Sequence, residues 1–276
     1  GSVDSYFSVL MRVGLAALVF LPFLRTRGQS PRTIVLYMLV GAMQLGIMYL
    51  LAFRAYLYLT VSEFLLFTVF TPLYITLIYD LLSGRKLRWG YLLSAALAVL
   101  GAAIIRYDKV SDHFWTGLLL VQLSNLCFAI GMVGYKRLME VRPMPQHNAF
   151  AWFYVGAFIV AVAAWFMLGN AQKLPTTTLQ WSVLVWLGVV ASGLGYFMWN
   201  YGATQVDAGT LGIMNNVHVP AGLLVNLAIW QEQPHWPSFI SGALVILASL
   251  WVHRRWVAPH SGQTADDRRR GSAQSE

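Results

Sequence analysis

The chain has 276 residues, of which 58% are hydrophobic, 14% aromatic and only 11% charged, with a formal net charge of +8. A soluble domain carries about 25% charged residues, so this chain has too little polar surface to fold in water and takes a bilayer as its solvent. The basic residues lie in short loops between apolar runs, a topology signal that argues against a nucleic-acid-binding face.

Lipid leaves only helix bundles and closed barrels, because no water is present to satisfy the backbone. The apolar runs here are about 20 residues long and do not alternate, which selects helices. Nine helices are predicted, α1 to α9, at 5–24, 33–53, 61–81, 90–105, 115–138, 147–168, 180–203, 209–230 and 236–256. The polar tail, 258–276, is expected to be disordered.

Along the chain, α1 carries Arg12 two turns from its start. Insertion of Arg at a helix centre costs about 2.5–3.5 kcal/mol, so such a residue is a functional candidate. Its planar fork holds a carboxylate bidentately, which suits an anionic substrate. The plain alternative is an Arg that snorkels to the interface or is paired structurally. In α2, Gln44 is the lone deep amide, and Arg54 near its end is expected to pair with Glu63 of α3. The stripe Gln122, Asn125, Met132 and Lys136 runs along α5, where the single cysteine, Cys127, reads as a packed core residue.

Trp152 and Tyr154 begin α6. Ser192, Tyr196, Trp199 and Asn200 fall on one side of α7, where the two rings would sandwich a flat solute and Asn200 would bond its edge. In α8, Asn215, Asn216 and His218 precede Pro220. Amides supply donors and acceptors together, as a urea or amide group requires, and histidine is the side chain type suited to proton coupling, which makes His218 a candidate for that role. Each of these positions also has an ordinary reading as packing or interhelical hydrogen bonding. Tryptophans at helix ends, such as Trp89, Trp115 and Trp236, read as interfacial anchors.

The loops after α1, α3 and α5 and the tail hold most of the Lys and Arg, whereas only Arg54, Arg106, Lys109 and Lys173 fall on the other side. This bias predicts an inner-membrane protein with a cytoplasmic C-terminus. The chain also repeats itself. Pro72 in α3 matches Pro220 in α8, and Ser94-Ala95-Ala96-Leu97 in α4 matches Ser241-Gly242-Ala243-Leu244 in α9. Helices α1 to α4 thus correspond to α6 to α9, and the equivalent of α5 would precede Gly1. The pattern implies an all-α membrane fold of ten helices, an inverted five-plus-five repeat with the first helix absent here. The halves are expected at 1–110 and 111–257. Inverted repeats with an odd number of helices are a transporter architecture, with substrate near the midplane.

Enzyme and metal motifs are not found: there is no phosphate-binding glycine loop and no His-Glu-x-x-His. The six histidines are scattered rather than spaced as ligands, so neither a metal nor another cofactor is expected.

The repeat with its matched prolines, together with Ser192-Gly193-Leu194-Gly195-Tyr196-Phe197-Met198-Trp199-Asn200-Tyr201 and Pro143-Met144-Pro145-Gln146-His147-Asn148-Ala149-Phe150, resembles the EamA branch of the drug/metabolite transporter superfamily. More narrowly, it resembles that branch's enterobacterial biotin-importing members, over almost the whole chain. The resemblance implies secondary transport of biotin by alternating access. It is compatible with Arg12 on the carboxylate, Asn200, Asn215 or Asn216 on the ureido ring, and Tyr196 and Trp199 against the ring and chain. Export of amino acids or other metabolites, as elsewhere in the superfamily, and a scaffold role in a larger complex are the alternatives.

Overall fold

The computed structural model describes residues 3–59, 64, 67–84, 89, 93, 96–97, 114–217, 220–221, 224 and 236–252. The regular structure among them is helical, with no strand. Five helices are long and apolar enough to cross a membrane: α1 (Ser5–Phe23), α2 (Pro31–Ala55), α5 (Trp115–Val141), α6 (Gln146–Leu168) and α7 (Thr178–Ala203). Their ends lie within a few residues of the expected ones. Shorter described stretches represent α3 (Thr68–Leu82), α8 (Ala208–Asn215) and α9 (Trp236–Val252). Most of α4, and the tail 258–276, lie outside the described residues.

Local chemistry sets the helix starts. Asp4 caps α1 by accepting from the Phe7 amide at 2.9 Å, and Ser30 caps α2 ahead of Pro31, whose missing N–H costs nothing at the first turn. Thr177 and Gln180 form a reciprocal capping box at α7, and Asp207 accepts from the amides of Gly209 and Thr210 at α8.

Two helices depart from regular α geometry inside the membrane. Helix α2 turns into a π-helix over Ala42–Ile47, and α7 does so over Leu187–Gly195. Such segments are frequent at functional sites. They occupy matching places in the repeat. Helices α3 and α8 are interrupted as well, and the interruption lies four residues before the proline rather than at it. Thr68–Phe70 forms a 3-10 turn before Pro72, and α8 ends at Asn215 before a turn that precedes Pro220. Proline clashes with the carbonyl four residues back, and those carbonyls belong to Thr68 and Asn216.

By contacts, the chain divides into two compact units, Gly1–Thr68 with Val110–Val206, and Val69–Lys109 with Asp207–Glu276. This division follows packing, whereas the halves read from the sequence follow duplication of the chain. In the first unit α6 packs against both α1 and α2, α7 packs on α1, and α5 packs on α2. The α2–α6 crossing is close enough to require glycine on both sides. A Cβ at Gly41 would overlap the Phe153 carbonyl, and one at Gly156 would overlap the Met38 carbonyl. The core at the end where α1 finishes is aromatic. Phe150 and Phe153 stack at 4.7 Å, and Phe20 lies 5.5 Å from Tyr154 and 5.2 Å from Phe197. In the second unit α8 packs on α3, with Gly212 against Pro72.

Candidate functional site

Within the first unit a charged group lies deep among apolar helices. Arg12, partly buried on α1, donates from Nε to the Ser192 Oγ at 3.1 Å and from Nη2 to the Tyr49 hydroxyl at 2.9 Å. The two acceptors are themselves hydrogen-bonded at 3.2 Å. The guanidinium carbon lies 4.5 Å from the centroid of the Tyr49 ring, within cation–π range. Tyr154 of α6 donates to the Ser192 carbonyl, and Tyr196 meets the Tyr49 ring edge-on at 6.1 Å. The cluster therefore draws Arg12 and Tyr49 from the first sequence half and Tyr154, Ser192 and Tyr196 from the second.

The backbone explains how these groups meet. A Cβ at Gly188 would strike Leu15 at 2.7 Å and lie 3.4 Å from the Arg12 Cα, so glycine there lets α7 approach α1 closely. Ser192 sits within the π stretch of α7, and its side chain and carbonyl turn towards α1, α2 and α6.

The electrostatics of the cluster are unbalanced. Among the described residues no carboxylate pairs with Arg12, whereas Lys136 and Arg137 both pair with Glu140, at 3.3 and 2.9 Å. Arginine has five N–H donors, and the two neutral acceptors here leave its charge uncompensated. A partly buried charge of this kind, with no carboxylate partner among the described residues, fits an anionic guest.

The other sequence candidates are placed as follows. Gln44 is completely buried, and neither end of its amide has a hydrogen-bond partner among the described residues. It lies in the π stretch of α2, where Gly131 of α5 packs directly on its backbone and Cβ. Asn200 is also completely buried. Its Nδ2 donates to the Tyr196 carbonyl at 3.0 Å, and its Oδ1 has no partner among the described residues. Trp199 donates from Nε1 to the Met132 sulfur at 3.0 Å.

Gln122 and Asn125 both donate to the Phe67 carbonyl, at 3.0 and 2.9 Å, and so serve a backbone group beside the interruption of α3. Trp152 donates to the Arg25 carbonyl at 3.2 Å and ties the α1–α2 loop to α6. Among the described residues, these hydrogen bonds of Gln122, Asn125 and Trp152 go to groups outside the Arg12 cluster. In the second unit Asn215 is partly buried, while Asn216 is completely buried and donates to the Val69 carbonyl at 3.2 Å, with its Oδ1 unpartnered among the described residues. His218 and Glu63 lie outside the described residues. Arg54 bonds the Tyr6 hydroxyl at 2.8 Å.

Tyr49 is the member that sequence reasoning missed. A signal for it exists: Gly41-x4-Gly46-x2-Tyr49 recurs as Gly188-x4-Gly193-x2-Tyr196, at the same offset that separates Ser94 from Ser241. The two motifs span the two π stretches and end on the two tyrosines that touch.

Comparison with known proteins agrees with this architecture. The pattern of the EamA-like transporter family matches residues 1–107 and 115–254. A protein of Escherichia coli (strain K12) named "Biotin transporter" is 83% identical over 276 residues, covering 100% of this chain and 92% of the relative. A protein of Pseudomonas aeruginosa named "Probable biotin transporter" is 54% identical over 256 residues, covering 92% of this chain and 89% of that one. A solved crystal structure 17% identical in sequence shares the fold, with a TM-score of 0.74 over 91% of this chain and 88% of its own.

Proposed function

The chain belongs to the EamA-like transporter family, and we propose that it imports biotin across the bacterial inner membrane. It is a multi-pass membrane protein and not an enzyme. The observation that carries the substrate reading is Arg12, a cation among membrane helices with a tyrosine and a serine as its partners and no carboxylate among the described residues. Biotin brings the missing carboxylate. The names of the relatives at 83% and 54% identity point the same way.

In this reading Arg12 binds the carboxylate bidentately, with Tyr49 and Ser192 holding the guanidinium in place. Tyr49 and Tyr196 provide the surface on which the aliphatic chain and fused ring rest. The ureido group offers both donors and an acceptor, complementary to the unpartnered amide atoms of Gln44 and Asn200. A π-helix bonds residue i to i+5, so the π stretch brings Gln44 closer to the face that carries Tyr49 than a regular helix would.

Transport proceeds by alternating access, the two repeat halves rocking about the site they share. The C-terminus is cytoplasmic, because the loops after α1, α3 and α5 together with the C-terminal tail hold most of the Lys and Arg. The test is uptake of labelled biotin into proteoliposomes, with and without a pH gradient. Saturable uptake is expected, and dependence on the gradient would identify proton coupling. No saturable uptake by folded protein would overturn the biotin reading and favour export of another small metabolite.

A further inference from the structure

At the end of the first unit where α1 begins and α2 ends, a cleft of about 210 Å³ opens between Tyr6, Val9, Leu50, Phe53, Arg54 and Lys173. It lies within one helical turn of the Arg12 cluster on two elements at once. Val9 precedes Arg12 by three residues on α1, and Leu50 follows Tyr49 directly on α2. Aromatic rings continue the path, with Phe53 6.3 Å from Tyr49 and 6.5 Å from Tyr56.

Two cations line this cleft where topology disfavours them. In the orientation proposed above the cleft faces outward, and Lys and Arg are depleted from outward loops. Arg54 and Lys173 are two of the four basic residues on that side, the others being Arg106 and Lys109. Both are exposed, and no carboxylate among the described residues forms an ion pair with either. The Tyr6 hydroxyl accepts from Arg54 and props it over the cleft without neutralising it. Asp4 also lines the cleft, but its carboxylate accepts from the backbone amides of Phe7 at 2.9 Å and Asn170 at 3.3 Å. The Lys173 carbonyl accepts from the Asp4 amide at 2.8 Å, which fixes the loop before α7 against the start of α1.

We propose that this cleft is an outer capture site for the carboxylate of the solute, distinct from Arg12. Arg54 and Lys173 hold the anion on entry, and it passes along Phe53 and Tyr49 to the deeper guanidinium. The inference rests on the reading of the chain as a carrier of a carboxylate-bearing substrate.

The experiment is uptake of labelled biotin by cells that express the wild type, R54Q, K173Q, the double variant or R54K, at low and high ionic strength. The double variant is expected to raise KM by about threefold or more, consistent with two exposed charge contacts, and to affect Vmax far less. Salt is expected to raise KM in the wild type and to have little effect in the double variant, because screening acts on the charges already removed. R54K should retain most of the wild-type KM.

A smaller rise in KM, or a loss of Vmax with the salt dependence intact, overturns the capture site and leaves Arg54 as a clamp between α1 and α2. Saturable wild-type uptake with unchanged variants overturns this inference alone. Absence of saturable uptake by the wild type overturns the biotin reading and this inference together.

Discussion

At the residue scale, the proposed recognition of the solute turns on one hydroxyl. Tyr49 accepts from Arg12, bonds Ser192 and offers its ring face to the guanidinium. Replacing it with Phe keeps the ring and removes both hydrogen bonds. Tyr49→Phe is therefore expected to lower Vmax/KM for biotin by roughly tenfold or more, the loss of a hydrogen bond to a charged group, with little change in thermal stability. Uptake kinetics beside a detergent melting curve check this, and a stability loss of matching size would reassign Tyr49 to packing. Gln44→Leu separates recognition from packing in the same way. Its amide is buried with no partner among the described residues, so an apolar replacement of similar size should stabilise the fold or leave it unchanged while weakening uptake. Arg12 was legible in the sequence because a charge in an apolar run is conspicuous. Tyr49 was not, because a tyrosine in such a run reads as core, and its partners lie 37 and 143 residues away.

At the element scale the decisive features are close crossings and interruptions. Gly41 and Gly156 each meet the backbone of the opposite helix, so there is no flexible side chain to yield. Gly156→Val is expected to destabilise the protein by about 3 kcal/mol, the upper range for overpacking, and to lower its melting temperature and yield. An unchanged melting curve would contradict the α2–α6 crossing. Apolar length placed the five spanning helices to within a few residues, whereas the caps at Pro31, Asp207 and the Thr177–Gln180 pair were not read from the sequence. The π stretches were not legible that way, because apolar content is the same for π and α turns. Only the paired Gly-x4-Gly-x2-Tyr motifs betray them. The prolines served in the sequence only as repeat markers; the structure adds that α3 and α8 are interrupted beginning four residues upstream, at the carbonyl that each ring displaces.

At the scale of the whole molecule, duplication and transport are connected through the Arg12 cluster. Repeat-equivalent Tyr49 and Tyr196 come into contact, and repeat-equivalent α1 and α6 pack together. The elements that match in sequence thus meet around the charge. The repeat itself was legible from Pro72 and Pro220. What no single stretch of sequence contained was the convergence of four helices on Ser192 and Arg12, because each contributes one or two polar groups to an otherwise apolar face.

The central claim is that Arg12 recognises the solute's carboxylate, and competition by an uncharged analogue tests it most directly. Uptake of labelled biotin would be measured against increasing unlabelled biotin or biotin amide, for the wild type and Arg12→Met. The account predicts that the wild type prefers the acid by about tenfold or more, the worth of a charge-assisted pair, and that the variant loses this preference along with most of its uptake. A variant that retains wild-type KM and still prefers the acid would contradict it.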